Sequence, residues 1–464
     1  MRRVITLLWL CAAPLAAQNP APAGGRCPVF NLASNPVTSH STSIETPSKQ
    51  HDIYIGGGAI ATCPSQNQTI IADSAEQFGD TRVLNLIGNV HYTEPRLTLN
   101  SERLTYWQND ERVRAEGHVD ATLPSGTNMV GPVADYYRAI APVRTTARLI
   151  ATGRPTIKIV QLDSVTKKPG DPVIVIANNV SMEGDTLVYA GGKVEITRPD
   201  IVSHSDSAVM NSQSEKARLI GQPVIDGRGE RPFQLSGLIV DLFAKNKVLQ
   251  RVLSSGSAKT VSEDVTLTAD TIDFRMADRL LQRAFAWGQP GKMRAHAVSP
   301  TYDILADSLA IKMPGQRLQE VRSIRDAYAE SLPDTIKIRT RERDWLKGDT
   351  IIAYFDSGAV KAKTSTAKPG QKDAGARIKQ LISLGHAQSF YHIASKDTTT
   401  ILPSINYVKG NAIQLAFADQ QVQRVDITGP SSGVYLEPEA KTDTSKSKKP
   451  PGQPAARPPV RSRP

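Results

Sequence analysis

The sequence predicts an all-β protein: an elongated β-jelly roll or solenoid of repeated antiparallel strand pairs that form two facing sheets. Three observations predict it. A short acid–apolar unit recurs along the 464 residues. Its apolar residues are spaced by two, the period of a strand. Long amphipathic helical patterns are absent, and Ile324–Leu332 offers a turn or two of helix at most.

The chain opens with Arg2 and Arg3, an apolar run from Val4 to Ala13, and small residues at Ala16 and Ala17. This order is that of a secretory signal peptide over residues 1–17. The run is about half of the ~20 apolar residues a spanning helix needs. Leu10 is too bulky to precede a lipidated Cys11. If Cys11 leaves with the signal, Cys27 and Cys63 remain. In an oxidising compartment they are candidates for one disulfide, with two free thiols as the alternative. No CxxC or Cys/His spacing suggests zinc, so neither metal nor cofactor is expected.

Residues 18–50 are rich in Ser, Thr, Pro, Asn and Ala and read as a flexible leader. The repeat follows. A small residue and an acid precede apolar residues two and four places on: SERLTY at Glu102, ADYYRA at Asp135, GDTLVY at Asp185, SDSAVM at Asp206, ADTIDF at Asp270, ADSLAI at Asp307, GDTIIAYF at Asp349 and GNAIQLAF at Asn411. Weaker copies lie at Asp73 and Gly237. After most units come a polar turn, a second alternating strand and a glycine: Gly88, Gly117, Gly153, Gly221, Gly256, Gly288, Gly385 or Gly429. The acids read as turn residues before a strand, accepting backbone N–H bonds.

Strand alternation puts Leu104 with Tyr106, Leu187 with Tyr189, Ile272 with Phe274, Leu309 with Ile311 and Ile413 with Leu415 on shared faces. One strand pair cannot bury such a face alone, so stacked pairs must share a core. The residue reading divides the chain into a first β domain at 51–160 and further repeats at 161–438. A Lys/Gly-rich loop is inserted at 361–377. The tail at 439–464 carries seven Lys/Arg against two acids and many prolines, and reads as disordered. That tail supplies +5 of the net charge of +11, so the body is only modestly basic. No basic cluster with aromatic platforms is present, and nucleic-acid binding is not expected.

At GNVHY (Gly88–Tyr92) and AEGHVDA (Ala115–Ala121), the alternation of an A-D-x-[LIV]-x-[YF] strand with an x-x-G-[NH]-V strand resembles the OstA-like domain (organic solvent tolerance-like N-terminal). The LptA-type periplasmic proteins of lipopolysaccharide transport share that domain. The match covers about Ile70–Ile159, with looser copies from Val180 to Tyr435. The resemblance implies a slightly open jelly roll whose apolar interior shelters the acyl chains of lipopolysaccharide or a related envelope lipid. Groove candidates are then Leu104, Tyr106, Leu187, Tyr189, Ile272, Phe274, Leu309, Ile311, Ile413 and Leu415. It also implies stacking on other OstA-like or Lpt domains through edge strands. The location implied is the periplasm, free or at either membrane. Burying acyl chains supplies ~0.8 kcal/mol per methylene without covalent chemistry.

The alternative is a parallel β-helix, either a polysaccharide-active enzyme or an adhesin. It needs acids and bases converging at one level of the stack. The eight histidines are scattered, with no HExxH motif. His204 and Asp206 read as a solvated pair. One acid per turn offers too few oxygens for calcium. No catalytic set emerges, and the expectation is a protein that is not an enzyme.

Overall fold

A computed structural model describes residues 25–438, except 35, 161–169, 229–231, 264, 289–290, 301, 332–339, 341, 357–376, 394–401 and 419–420. The segment read as a signal peptide, almost all of the stretch read as an inserted loop and the basic tail therefore lie outside the described residues. The described fold is all-β and jelly-roll-like, and every described strand pairing is antiparallel. Among the described residues the parallel coils of a β-helix are not formed.

The chain makes two compact units. Unit 1 begins with β1 (Asn31–Ser34) and β2 (His40–Glu45), which pair with the two halves of β3 (His51–Cys63). Part of the stretch read as a flexible leader is thus a broken strand. Its polar composition suits an edge, and β2 is exposed throughout. A meander follows through β4 (Gln68–Phe78), β5 (Val83–Glu94), β6 (Leu97–Trp107), β7 (Arg112–Thr122) and β8 (Asn128–Tyr137).

From there, long strands alternate with rungs broken in two. β9 (Arg148–Thr152) and β10 (Thr156–Ile159) pair with the halves of β8. β11 (Val173–Ile176) and β12 (Asn179–Glu183) come next, then β13 (Leu187–Thr197) and β14 (Ile201–Asn211). β15 (Lys216–Ile220), β16 (Val224–Gly227), β17 (Phe233–Ser236) and β18 (Ile239–Lys245) carry the ladder to β19 (Val248–Ser262) and β20 (Thr266–Ala277). β21 (Leu280–Trp287) and β22 (Ala295–Val298) cover β20. β23 (Tyr302–Ala306) belongs to unit 2, whereas β24 (Ser308–Lys312) returns to unit 1 against β21. The sequence-based division at 160 coincides with no division between units.

In unit 2, β25 (Glu320–Ser331) pairs with β23, so Ile324–Leu332 contributes a strand through Ser331 and no helical turn. β26 (Asp344–Asp356), β27 (Arg377–Ile393) and β28 (Ser404–Ala418) form a long ladder. It closes on β29 (Gln421–Thr428) and β30 (Ser432–Leu436).

The repeat has a structural meaning that differs from a turn. Glu102, Asp206, Asp270 and Asp349 stand inside long strands, while Asp185 lies in a turn. At the acid the inward-facing set shifts by one. In β6 it runs Leu97, Leu99 and Ser101, then Leu104 and Tyr106. The neighbouring strand takes up the offset with two left-handed residues, Gly117 (φ 79°) and His118 (φ 44°), while the ladder jumps from Glu116 to Val119. Glu102 lies over Gly117, where a Cβ would stand 2.4 Å from its Oε2, and accepts from His118 Nδ1 at 2.5 Å if that nitrogen is protonated. The same jog recurs with Asp73 over Gly88, Asp206 over Gly221, Asp349 over Gly385 and Asn411 over Gly429. Such bulges bend a strand.

Candidate functional site

The bend brings strand ends together. An 11-residue strand run straight would separate its ends by roughly 33 Å at ~3.3 Å per residue. Yet Glu94, at the end of β5, meets residues that flank its start across the ladder. Arg138, just after β8, donates from Nε to Glu94 Oε2 at 2.6 Å and from Nη1 to Glu111 Oε2 at 2.5 Å. Tyr106 donates to Glu111 Oε2 at 2.5 Å, and Tyr136 donates to Glu94 Oε1. The Gln68 carboxamide sits among Tyr106, Glu94 and Arg138. The two arms of the folded strands are therefore clasped at their tips.

The clasp is dry: Glu94, Glu111 and Arg138 are all buried. Burial, the largest single influence, works against the Arg138 charge, but Glu94, Tyr92 and Tyr106 together outweigh it and push the guanidinium up. Burial, then Glu111, pushes the Tyr106 phenol up; burial, then Glu94, does the same to Tyr136. Both phenols stay protonated and donate. Above the clasp lies a strap. Cys27 and Cys63 are joined by a disulfide, the Cys27 N–H donates to Glu111 Oε1 at 2.5 Å, and Phe30 packs edge-on against Tyr106 at 4.9 Å.

Farther along unit 1 the described strand tips are arranged differently. Phe233 pairs with Ser262 at the end of β19, and Leu249 sits at the start of the same strand. The bulge at Gly256 and Ser257 lies between them. Both line one pocket with Ile201, Ile225, Val252, Phe274, Met276 and Leu281. Phe233 and Phe274 meet edge to face at 5.7 Å. Asp200, Arg228, Arg279 and Gln316 complete the wall. The cleft is lined mostly by apolar side chains; Asp200, Arg228 and Arg279 supply the charge in its wall, and Arg279 also pairs with Asp171 at 3.3 Å.

The ten groove candidates scatter over these environments. Leu104, Ile272, Leu309, Ile413 and Leu415 are buried in strand cores. Phe274 lines the pocket, and Tyr106 belongs to the clasp. Leu187 and Ile311 are half-buried, and Tyr189 faces out. GDTLVY at Asp185 mimics the unit without being it. Asn178 occupies the position over Gly192 (φ 77°), and Val180 and Met182, two and four places on, are the buried pair. Sequence reasoning missed Arg138, Glu94 and Glu111. They recur in no unit, so no pattern marks them. The pocket residues lie in separate strands and had no shared signal.

Unit 2 holds a different buried polar group. His392 Nδ1 lies 2.7 Å from Asp344 Oδ1, with Glu342 3.7 Å from Nε2. Burial raises the Asp344 carboxyl above its ordinary value, although His392 hydrogen bonds pull it down. His204 and Asp206 are both exposed. Among the described residues no group of three His, Cys, Asp or Glu side chains could hold a metal, and no helix is long and apolar enough to cross a membrane.

No protein-family model and no curated protein matches the sequence. Among solved structures, the chain resembles LptH, the LptA homologous periplasmic component of the conserved lipopolysaccharide transport device from Pseudomonas aeruginosa. Identity is 16%, over 27% of this chain and 94% of that chain. The TM-score of 0.24 is too low for the likeness to bear on function.

Proposed function

We propose that this chain is a non-enzymatic, periplasmic lipid holder. It shelters acyl chains of a lipopolysaccharide-class envelope lipid in the opening between β14 and β21 of unit 1. The carrying observation is the apolar pocket lined by Ile201, Phe233, Leu249 and Phe274, with Arg228 and Arg279 in its wall. Apolar burial supplies the binding energy, and the guanidinium groups favour a phosphate-bearing headgroup. The motifs around Gly88–Tyr92 and Ala115–Ala121 support the same reading through their resemblance to OstA-like domains. Exposed edges at β2 and at β30, where Val434, Tyr435 and Leu436 are exposed, suit docking to similar domains by strand addition.

A photo-crosslinking residue at Leu281, activated in cells, should yield a lipid adduct recoverable by mass spectrometry. The double substitution Arg228→Glu/Arg279→Glu should cut that yield at least several-fold. An adduct-free Leu281 counts directly against the lipid reading.

A further inference from the structure

Three observations single out the first rungs of unit 1. Large side chains crowd the interior there: nine of the twelve largest fully buried side chains belong to β4–β8, among them Leu84, Leu86, Leu99 and Met129. The strand tips are clasped by Arg138 between Glu94 and Glu111. The disulfide-anchored segment at Cys27–Phe30 lies on that clasp, with Cys27 N–H on Glu111 and the Phe30 ring on Tyr106. The rungs at β14–β21 have a pocket at the corresponding tips instead.

We propose that the rungs from β3 to β8 are a closed end of unit 1, which admits no acyl chain, and that the Cys27–Cys63 strap is its lock. The proposal rests on the lipid-holding reading for what is excluded, but the lock can be judged without lipid. A chain held at β14–β21 stops short of the clasp, because passing it requires separating a guanidinium from two carboxylates inside a dry core. The strap contributes because one Glu111 oxygen accepts from Cys27 and the other from Arg138 and Tyr106. Cleaving the disulfide frees the segment that supplies one of these donors. Glu111 then faces water on that side.

Two measurements on the full chain test this. The first is amide hydrogen exchange of the oxidised and the reduced protein, with the Cys27→Ser/Cys63→Ser pair as a second route to the unlocked state. Amides around Tyr106–Glu111 and Tyr136–Arg138 should exchange at least tenfold faster once unlocked, while those at 248–281 keep their rates. Unchanged exchange at the clasp overturns the lock. The second places a photo-crosslinking residue at Leu99 or at Leu281 and adds hexa-acyl lipid A. An adduct at Leu281 alone supports the closed end. An adduct at Leu99 in the oxidised protein overturns the closed end and leaves the lipid reading standing. Adducts at neither position overturn the lipid reading, and the exchange rates then decide the lock alone.

Discussion

Arg138 faces two carboxylates in a region that water does not reach, so its loss is costlier than the loss of a surface ion pair. Replacing it with Met leaves Glu94 and Glu111 buried without a counter-charge. Breaking one side of such a pair costs about 3–5 kcal/mol. Arg138→Met should lower the urea-unfolding free energy of unit 1 by about that amount. Asp344 in unit 2 yields a pH prediction. Burial raises its carboxyl above the ordinary 3.8, so the folded chain binds its proton more tightly than the unfolded chain does. Its favourable contribution is complete below 3.8 and is lost as pH rises towards the raised folded value. Asp344→Asn should flatten this part of the stability–pH curve of unit 2, followed by urea midpoints across that window.

A strand here is a folded object: two arms about a jog, with an acid on one strand over a glycine on the next. Gly117 adopts φ 79°, and a Cβ there meets the Glu102 carboxylate. Gly117→Ala should cost about 1–2 kcal/mol for the left-handed conformation alone. Glu102→Gln should leave the jog in place, because the amide keeps an oxygen for His118. The jog also decides which side chains face in, and the two faces of the β12–β13 pair test that. Met182 is buried and Tyr189 exposed. Met182→Ala should cost about 2–5 kcal/mol. Tyr189→Ser should stay within about 0.5 kcal/mol. Equal effects from the two changes would falsify the assigned register.

At the scale of the molecule, the Cys27–Cys63 bridge ties residues 36 apart across unit 1. Chain-entropy arguments put the stabilisation from a loop of that length at about 3–4 kcal/mol. Reduction should lower the thermal midpoint of unit 1 and leave that of unit 2 in place, which calorimetry of the two transitions can separate. From β3 to β8 antiparallel neighbours are also sequence neighbours, whereas farther along the ladder skips strands, as where β15 pairs with β18 and β21 with β24. The partition into units was not readable in advance, because unit 2 takes β23 while β24, two residues later, stays with unit 1. Composition also misread β1 and β2: a Ser/Thr-rich edge strand has the same make-up as a flexible leader until a partner pairs with it.

By itself, the sequence determined that this chain is built of antiparallel β rungs, and roughly where they recur. Period-two alternation is a local property, and so is the acid-to-glycine spacing that marks several of the jogs. Tertiary structure alone decided where strand tips meet in a buried ion-pair cluster and where they line a pocket. Both outcomes depend on strand tips that are distant along the chain: Glu94 with Glu111 and Arg138 at the clasp, Phe233 with Leu249 and Phe274 at the pocket. Those tips meet only once the jogs have bent the strands. Alternation shows that residues share a face, but not whether the opposing arm meets them with a guanidinium or leaves them a pocket.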